Sequence, residues 1–169
     1  MKEKSARNTD VDLKLKGFKV YEVGRDIKTV PHYNRRAFYK ICITNGYNKI
    51  VYGRNTFEHT GPILFFGNPE IPYAWEVHAP DYNGYACAFT SGFLNLNVPV
   101  PSLRQSSLYQ SSELTILALN DVQSKFISTL FGKMMLETVS EYRFKDELIR
   151  NYINLILQEG IKMQPLQAL

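Results

Sequence analysis

The sequence lacks the motifs that most metal-dependent, redox and nucleotide-dependent enzymes carry. It has only two cysteines and three histidines in 169 residues, and none of them is spaced as a metal-binding or redox motif. No Cys-x-x-Cys, His-Glu-x-x-His, Gly-x-Ser-x-Gly or glycine-rich nucleotide-binding pattern occurs. No apolar run approaches the roughly 18 residues that a membrane-spanning helix requires. The sequence therefore predicts no membrane contact and offers no standard catalytic motif.

Charge of either sign is modest. Twenty Lys and Arg against sixteen Asp and Glu give a net charge of +4, too weak to predict nucleic-acid binding by this chain. The start, Met1–Ser5, leads into polar sequence and lacks the apolar stretch of a secretion signal. Cys42 and Cys87 lie in apolar, strand-like runs, so we expect buried, reduced thiols in a cytoplasmic protein, a disulfide being the alternative.

Aromatic residues, in contrast, are abundant, with eleven Tyr, ten Phe and one Trp. From Phe18 to about Pro101, short runs rich in Val, Ile, Tyr and Phe alternate with Gly, Pro and Asn turn signals. Asn45-Gly46 predicts a hairpin, because both residues tolerate positive φ. Seven short strands without helices between them predict a sandwich or a small barrel. The predicted strands are Phe18–Val23, Ala37–Thr44, Asn48–Tyr52, Thr56–His59, Ile63–Phe66, Tyr73–Val77 and Tyr85–Thr90.

After Asn120 the hydrophobic pattern changes to a helical one. Apolar residues recur at every fourth position from Val122 to Met134, which predicts an amphipathic helix. Asn120 or Asp121 can cap it, because a short side-chain oxygen accepts a free N–H of the first turn.

A second helix is predicted from about Phe144 to Ile161, ending before Pro165. Its apolar arc covers about 220°, roughly twice what one buried face needs. One side can pack on the barrel or the first helix, and we expect the other to meet a second copy of the chain in a homodimer. The alternative is that both sides are covered within one chain. The residues assigned to the dimer interface are Leu148, Ile149, Tyr152, Ile153 and Ile156.

Two stretches carry a family resemblance: PHYNRRAFYKI at 31–41 and GPILFFGNPEIPY at 61–73. They look like a cupin barrel. More narrowly, the chain resembles the N-terminal effector-binding and dimerisation domain of AraC/XylS-type transcriptional regulators, and its order of barrel, helix and long helix adds to the likeness. The resemblance implies a mainly β fold, a cupin-like double-stranded β-helix (jelly-roll) barrel followed by a two-helix dimerisation unit.

The resemblance also divides the chain. It implies an N-terminal arm at 1–17, an effector-binding barrel at 18–105, a helical dimerisation unit at 106–165 and the start of a linker at 166–169. In some relatives the arm folds over bound sugar, whereas a solvated tail is the alternative here. The family's DNA-binding part is a C-terminal pair of helix-turn-helix units, which these 169 residues do not contain. We therefore expect contact with DNA only through that missing part.

The comparison with metal-binding cupins argues against a metal site in this chain. When the Phe38–Lys40 segment is aligned on metal-binding cupins, basic side chains stand at two ligand positions, and cations cannot ligate a divalent metal. No metal or other cofactor is therefore predicted. The residues at or near the four ligand positions are Asn34, Arg36, Lys40, and Pro72 or Tyr73.

A ligand site is predicted from strand parity. Arg36 and Lys40 point to the same side of one strand, and if that side is the interior, two buried cations need partners. The partner is either an internal Glu or a ligand that supplies a carboxylate, a phosphate or sugar hydroxyls. Tyr73 and Trp75 share a face of another strand, where they either stack on a ligand or pack in the core. Tyr85 is assigned to the same cavity.

Together these observations predict a small-molecule sensing and dimerisation domain of an AraC-type regulator, without enzymatic activity. The effector is expected to be a small polar or anionic molecule, either a sugar or an organic acid. The alternative is a metal-free cupin enzyme, such as a sugar epimerase or isomerase, with His59 and Tyr73 as its acid–base pair. A third possibility is a purely structural dimerisation module with a solidly packed barrel.

Overall fold

The computed structural model describes residues 17–24, 38–76, 82–95, 106–109 and 114–164. These form a mainly β fold followed by two long helices, as the sequence predicts. The strands are β1 (Phe18–Val23), β2 (Tyr39–Asn45), β3 (Tyr47–Tyr52), β4 (Asn55–Thr60), β5 (Ile63–Gly67), β6 (Ala74–Glu76), β7 (Asn83–Phe89) and β8 (Thr115–Ala118). The helices are α1 (Ser91–Asn95), α2 (Asp121–Thr138) and α3 (Lys145–Met163).

The strands form two antiparallel sheets. The larger has the order β1-β7-β2-β5-β8, and the smaller has the order β4-β3-β6. On β2, Cys42 lies opposite Phe65 of β5 and Ala86 of β7. Because side chains alternate along a strand, this row points to one face of the larger sheet and its sequence neighbours point to the other. The larger sheet therefore has two buried faces.

Each buried face has its own hydrophobic cluster. The helix-side core packs β1, β2, β5 and β7 against α2 and α3, and includes Ile41, Phe66, Phe89, Phe131 and Ile153. The inter-sheet core lies on the opposite face of the larger sheet and joins it to residues of the smaller one. Its members are Val23, Cys42, Ile50, Ile63, Phe65, Trp75, Tyr82, Ala86 and Leu114, with Tyr21 and Tyr73 among the residues packed against it.

The hairpin predicted at Asn45-Gly46 is wrong, because the turn joins β2 to β3 but these strands belong to different sheets and do not pair with each other. Gly46 has φ 99°, a backbone conformation that favours glycine, and its carbonyl accepts a hydrogen bond of 2.9 Å from the Gly61 N–H. The buried Asn48 side chain donates to the carbonyls of Gly46 and Gly61 and accepts a hydrogen bond of 2.7 Å from the Thr44 hydroxyl. One buried amide thus connects two turns.

The predicted first long helix is confirmed, and its cap is Asn120. The Asn120 side chain accepts from the Gln123 N–H, and the Gln123 side chain accepts from the Asn120 N–H, which is a complete capping box. The buried face is rotated from the every-fourth-residue pattern, so Val122 and Phe126 are exposed. The buried residues are Ile127, Leu130, Phe131 and Met134.

Helix α3 is held against the helix-side core at two points. Gly160 lies so close to β5 that a Cβ built on it would be 2.6 Å from Cζ of Phe66. At the other end, Arg150 donates a hydrogen bond of 2.6 Å to the Phe93 carbonyl, and its guanidinium lies 4.7 Å from the Phe93 ring centroid. Both contacts fix α3 on the sheet in one orientation.

The seven predicted strands are confirmed to within a few residues, and β1 has the predicted bounds. The sequence analysis missed α1 and β8. Because β8 pairs with β5, the larger sheet continues past residue 105, where the barrel was predicted to end. The predicted linker at 166–169 and the arm at 1–17, apart from Gly17, lie outside the described residues.

Two further sequence expectations can be compared with the structure. Cys42 and Cys87 are both buried, and neither forms a disulfide. In the part of the chain that the structure describes, no helix is both long and apolar enough to cross a bilayer.

Candidate functional site in the inter-sheet core

Lys40 lies on β2 at the edge of the inter-sheet core. It has the same strand parity as Cys42, so it belongs to the face that meets the smaller sheet. Its register partners on the adjacent strands are Gly67 of β5 and Ala88 of β7, which carry almost no side chain. At Gly67 the absence of a side chain lets the Phe65 and Tyr73 side chains approach the lysine stem, since a Cβ there would be 3.0 Å from the Phe65 ring.

Two tyrosines surround the Lys40 ammonium group. The hydroxyls of Tyr21 and Tyr73 lie within hydrogen-bonding reach of it, and its Nζ atom is 5.9 Å from the Tyr21 ring centroid. Lys19 approaches the same ring, with its Nζ atom 5.4 Å from the centroid. Among the described residues, no carboxylate forms an ion pair with Lys40. Its neighbours there are two phenol hydroxyls, a π-face and a second cation, Lys19, beside the same ring.

Burial sets the protonation states in this site. It raises the pKa of the Tyr21 and Tyr73 hydroxyls and of the Cys42 thiol, so all three are neutral at neutral pH. Burial lowers the pKa of Lys40, but attraction to Cys42, Tyr73 and Tyr21, which are anionic only well above neutral pH, and a hydrogen bond with the Tyr21 hydroxyl raise it, and the net shift is upward. Lys40 therefore carries a full positive charge between the sheets.

Aromatic rings extend the site away from Lys40. Phe65 meets Tyr73 and Trp75 edge-on, with centroid distances of 4.9 Å and 5.0 Å. Trp75 also meets Tyr82, with 6.3 Å between centroids. The Trp75 side chain is only 5% exposed, and within the described segments its Nε1 atom has no hydrogen-bond acceptor. The site thus combines a cation, two phenol hydroxyls, an unused N–H donor and an apolar wall.

The structure brings three of the five predicted ligand-site residues together. Lys40, Tyr73 and Trp75 all lie on or beside the inter-sheet core, whereas Arg36 falls outside the described residues. The assignment of Tyr85 to this cavity is wrong. Its parity on β7 is opposite to that of Ala86, and its ring stacks on Phe131 of α2 with 5.9 Å between centroids.

Sequence reasoning missed Tyr21 and Gly67. Along the first predicted strand, Lys19 and Tyr21 point to the same face. This shared parity is a signal that could have placed Tyr21 on an inward face. No sequence pattern identifies Gly67, because its role depends on which residue of β2 lies opposite. A Cβ built on Gly67 would be 3.1 Å from the Lys40 Cβ and 3.3 Å from the Tyr73 hydroxyl.

The predicted dimer interface needs a correction. Ile149, Ile153 and Ile156 are buried in the helix-side core of their own chain, so their side chains are not available to a second copy. These three residues lie on the side of the helix that packs on its own chain, so their assignment to the dimer interface is wrong. Leu148 and Tyr152 are only partly buried.

The structure does not bring together His59 and Tyr73, the acid–base pair of the alternative in which the protein is an enzyme. The His59 imidazole lies beside Gly61, just before β5 begins, whereas the Tyr73 hydroxyl lies beside Gly67, where β5 ends. A five-residue strand spans about 13 Å, too far for both groups to reach one substrate bond. The described residues also contain no cluster of three or more His, Cys, Asp or Glu side chains that could hold a metal ion.

Comparison with known proteins gives a structural likeness only. No protein-family model matches the sequence, and no curated protein matches it. An apo variant of ToxT from Vibrio cholerae superposes with a TM-score of 0.55 at 10% identity, over 86% of this chain and 56% of that one. ToxT from the same species bound to (E)-4-(8-methylnaphthalen-1-yl)but-3-enoic acid gives 0.50 at 13% identity, over 87% and 57%. The AraC-like transcriptional activator CuxR gives 0.47 at 14% identity, over 83% and 48%.

The chain spans about half the length of these proteins. At such low identities the likeness to ToxT is evidence of a common fold, and it extends over most of the present chain. The chain therefore has the fold of the corresponding part of ToxT, and the resemblance read from the sequence is confirmed at the level of the fold.

Proposed function

We propose that this protein is the non-enzymatic sensing domain of a cytoplasmic AraC-type transcriptional regulator, and that its effector is a small organic acid whose carboxylate binds Lys40. The observation that carries the proposal is a charged lysine between two sheets, with no ion-pair partner in the described part of the chain. Lys40 is partly buried, a cation removed from water without a counter-charge is unfavourable, and a ligand carboxylate would supply that charge. We further infer that the two sheets form a cupin-like jelly-roll barrel.

An organic acid suits this site better than a sugar. A sugar needs several hydrogen-bonding groups around its ring, whereas the inter-sheet core beyond Tyr21 and Tyr73 is mostly apolar. An acid with an apolar body needs one cation and an aromatic wall, which Lys40 and the rings of Phe65 and Trp75 supply. ToxT, which shares the fold at a TM-score of 0.50, has been captured with an aryl-substituted butenoic acid.

The proposed mechanism is a shift between conformational populations. Binding of the acid neutralises Lys40 and favours the arrangement of sheets and helices in which the site is closed. Arg36, which has the parity of Lys40 in the sequence, is proposed as a second contact to the carboxylate. The regulator's helix-turn-helix part, outside these 169 residues, would contact DNA and respond to this change.

We also propose that the domain is a homodimer, with an interface narrower than the sequence predicted. Leu148 and Tyr152 are retained, and the exposed Phe144 and Leu155 extend them along one stripe of α3. An antiparallel pair of α3 helices would bring the acidic first turn of one copy close to Lys162 of the other. This charge complementarity favours a second copy as the occupant of the stripe.

The effector proposal is tested by measuring the melting temperature with nonanoic acid as the probe. We expect the acid to raise the melting temperature of the wild-type domain. It should raise that of Lys40→Met much less, because this variant lacks the ammonium group that binds the carboxylate. Lys49→Met is the matched control, since Lys49 lies 3.4 Å from Glu76 and 4.0 Å from Glu58 and is already paired. Equal stabilisation of Lys40→Met and wild type would exclude Lys40 from the site. Arg36→Ala tests the second contact in the same assay.

A further inference from the structure

Trp75 has a buried donor that its surroundings do not use. The side chain is 5% exposed, and Nε1 has no acceptor among the residues the structure describes. Its cross-strand partner is Ile50, and its ring neighbours are Phe65 and Tyr82. The Tyr82 hydroxyl lies within hydrogen-bonding reach of Thr44, whose own hydroxyl donates elsewhere. Buried N–H groups without an acceptor are rare in folded proteins, so this one calls for a partner.

The position of this donor relates it to Lys40. Trp75 comes from the smaller sheet and Lys40 from the larger, and both border the inter-sheet core. Phe65 contacts Trp75 on one side and Tyr73, a neighbour of Lys40, on the other. Two successive ring contacts, Trp75–Phe65 and Phe65–Tyr73, thus separate Trp75 from the tyrosine beside Lys40, so a ligand must be elongated to reach both polar groups.

We infer that the effector carries a second polar group, an oxygen acceptor remote from its carboxylate, and that Trp75 Nε1–H donates a hydrogen bond to it. This inference rests on the proposed function, since it takes Lys40 as the carboxylate contact. An acid with a fully apolar chain leaves the indole N–H unsatisfied, whereas a keto, ether or hydroxyl oxygen at the right position satisfies it. Trp75 is thereby a specificity-determining residue that selects oxygenated acids over plain fatty acids.

The test uses nonanoic acid and its mono-oxo derivatives, in which a carbonyl replaces one chain methylene at a time. We expect one position, or two adjacent positions, to bind about fivefold to tenfold more tightly than nonanoic acid, the gain of one neutral hydrogen bond. Carbonyls elsewhere should weaken binding, because they are buried without a donor. Trp75 is the only tryptophan, so the protein gives a single indole ¹⁵N–¹H resonance. Its proton should move downfield with the preferred oxo acid and not with nonanoic acid.

Two variants separate recognition from packing. Trp75→Phe keeps an aromatic ring and removes the donor, so the ratio of oxo-acid to nonanoic acid affinity should fall to about one, even where the smaller ring weakens the binding of both acids. If Trp75→Phe does not fold, benzothienylalanine at this position removes the N–H with little change of shape and should give the same result.

Contrary outcomes distinguish the two proposals. If nonanoic acid binds through Lys40 but every oxo acid binds more weakly and the indole resonance stays in place, the inference is wrong and the proposed function stands. The inference is also wrong if the ligand-free indole proton is already downfield and protected from exchange, since a partner is then present. If neither nonanoic acid nor any oxo acid binds in a Lys40-dependent manner, both proposals fail.

Discussion

At the scale of single residues, Asn48 shows how one buried polar group can stabilise two turns. Its amide satisfies the carbonyls of Gly46 and Gly61 and the hydroxyl of Thr44, all at the end of the sheets where β2 meets β3. Asn48→Ala leaves these groups without their partner in a site closed to water. We expect it to lower the free energy of unfolding by about 2–4 kcal/mol, measured by urea denaturation.

The control for this prediction is Lys133→Ala, at an exposed position of α2. Because alanine is the better helix former, that variant should change stability by no more than about 0.5 kcal/mol in either direction. Equal effects of the two substitutions would show that the bonds of Asn48 contribute nothing specific.

Gly67 is the basis of a second prediction at the scale of single residues. An alanine Cβ would lie 3.1 Å from the Lys40 Cβ and 3.3 Å from the Tyr73 hydroxyl, so it would occupy part of the space beside the ammonium group. Gly67→Ala should weaken nonanoic acid binding about tenfold in calorimetry, while the stability of the ligand-free domain changes by only about 1 kcal/mol. Unchanged affinity would place the acid elsewhere.

The pKa of Lys40 predicts a pH profile for binding. Its pKa is shifted upward, so the ammonium stays charged as the pH rises, and the site keeps its attraction for a carboxylate. Affinity for nonanoic acid should be flat from about pH 6 to about pH 9 and fall below about pH 5, where the acid itself becomes protonated. Affinity that declines between neutral pH and about pH 9 would indicate a lysine that burial has made easier to deprotonate.

At the scale of elements, α2 and α3 offer a matched pair of glycines. A Cβ on Gly160 would approach Cζ of Phe66 to 2.6 Å, whereas a Cβ on Gly132 would have no neighbour within 4 Å. Gly132→Ala should stabilise the domain by up to about 1 kcal/mol through helix propensity and reduced chain entropy. Gly160→Ala should destabilise it by about 1–2 kcal/mol, because overpacking against β5 exceeds the same propensity gain. Thermal unfolding of the two variants measures both changes in stability, and we expect the two changes to have opposite signs.

The elements also show why part of the fold was predictable and part was not. Strands such as β1 and β5 were found because they alternate or are wholly apolar between clear turn signals. The four-residue β8, Thr115–Ala118, is too short to show a period, and only its pairing with β5 makes it a strand. On α2, the recurrence of apolar residues identified the helix, but the buried stripe through Phe131 is set by where the helix meets the sheet.

The candidate site, like the fold, was predictable only in part. Parity within one strand grouped Tyr73 with Trp75, and both border the inter-sheet core, but it left open whether Lys40 points inward. It failed for Tyr85, because parity fixes which residues share a face and not which core that face meets. Gly67 and the unused donor of Trp75 emerge only from the register and packing of strands distant in sequence.

At the scale of the whole molecule, one sheet separates two cores with different chemistry. The helix-side core is formed by apolar contacts that continue into α2 and α3, and the inter-sheet core has a charged lysine and two phenols at its edge. The helices can therefore serve assembly while the inter-sheet space serves binding. A ligand that moves the shared sheet acts on both faces, which is the physical link between sensing and dimerisation that the proposed function requires.

The last prediction tests whether the domain dimerises through α3. At 100° per residue, Leu155, Leu148 and Tyr152 lie within about 60° of one another around α3, whereas Ile161 lies about 120° from Leu155. Leu155 and Ile161 are each 39% exposed, so a charge at either position costs the single chain a similar amount. Leu155→Glu should give a monomer in sedimentation equilibrium at concentrations where wild type and Ile161→Glu are dimers, because only the first puts a carboxylate at the centre of the proposed antiparallel contact. A wild-type chain that sediments as a monomer at high concentration, or a Leu155→Glu variant that still dimerises, would contradict the α3 interface.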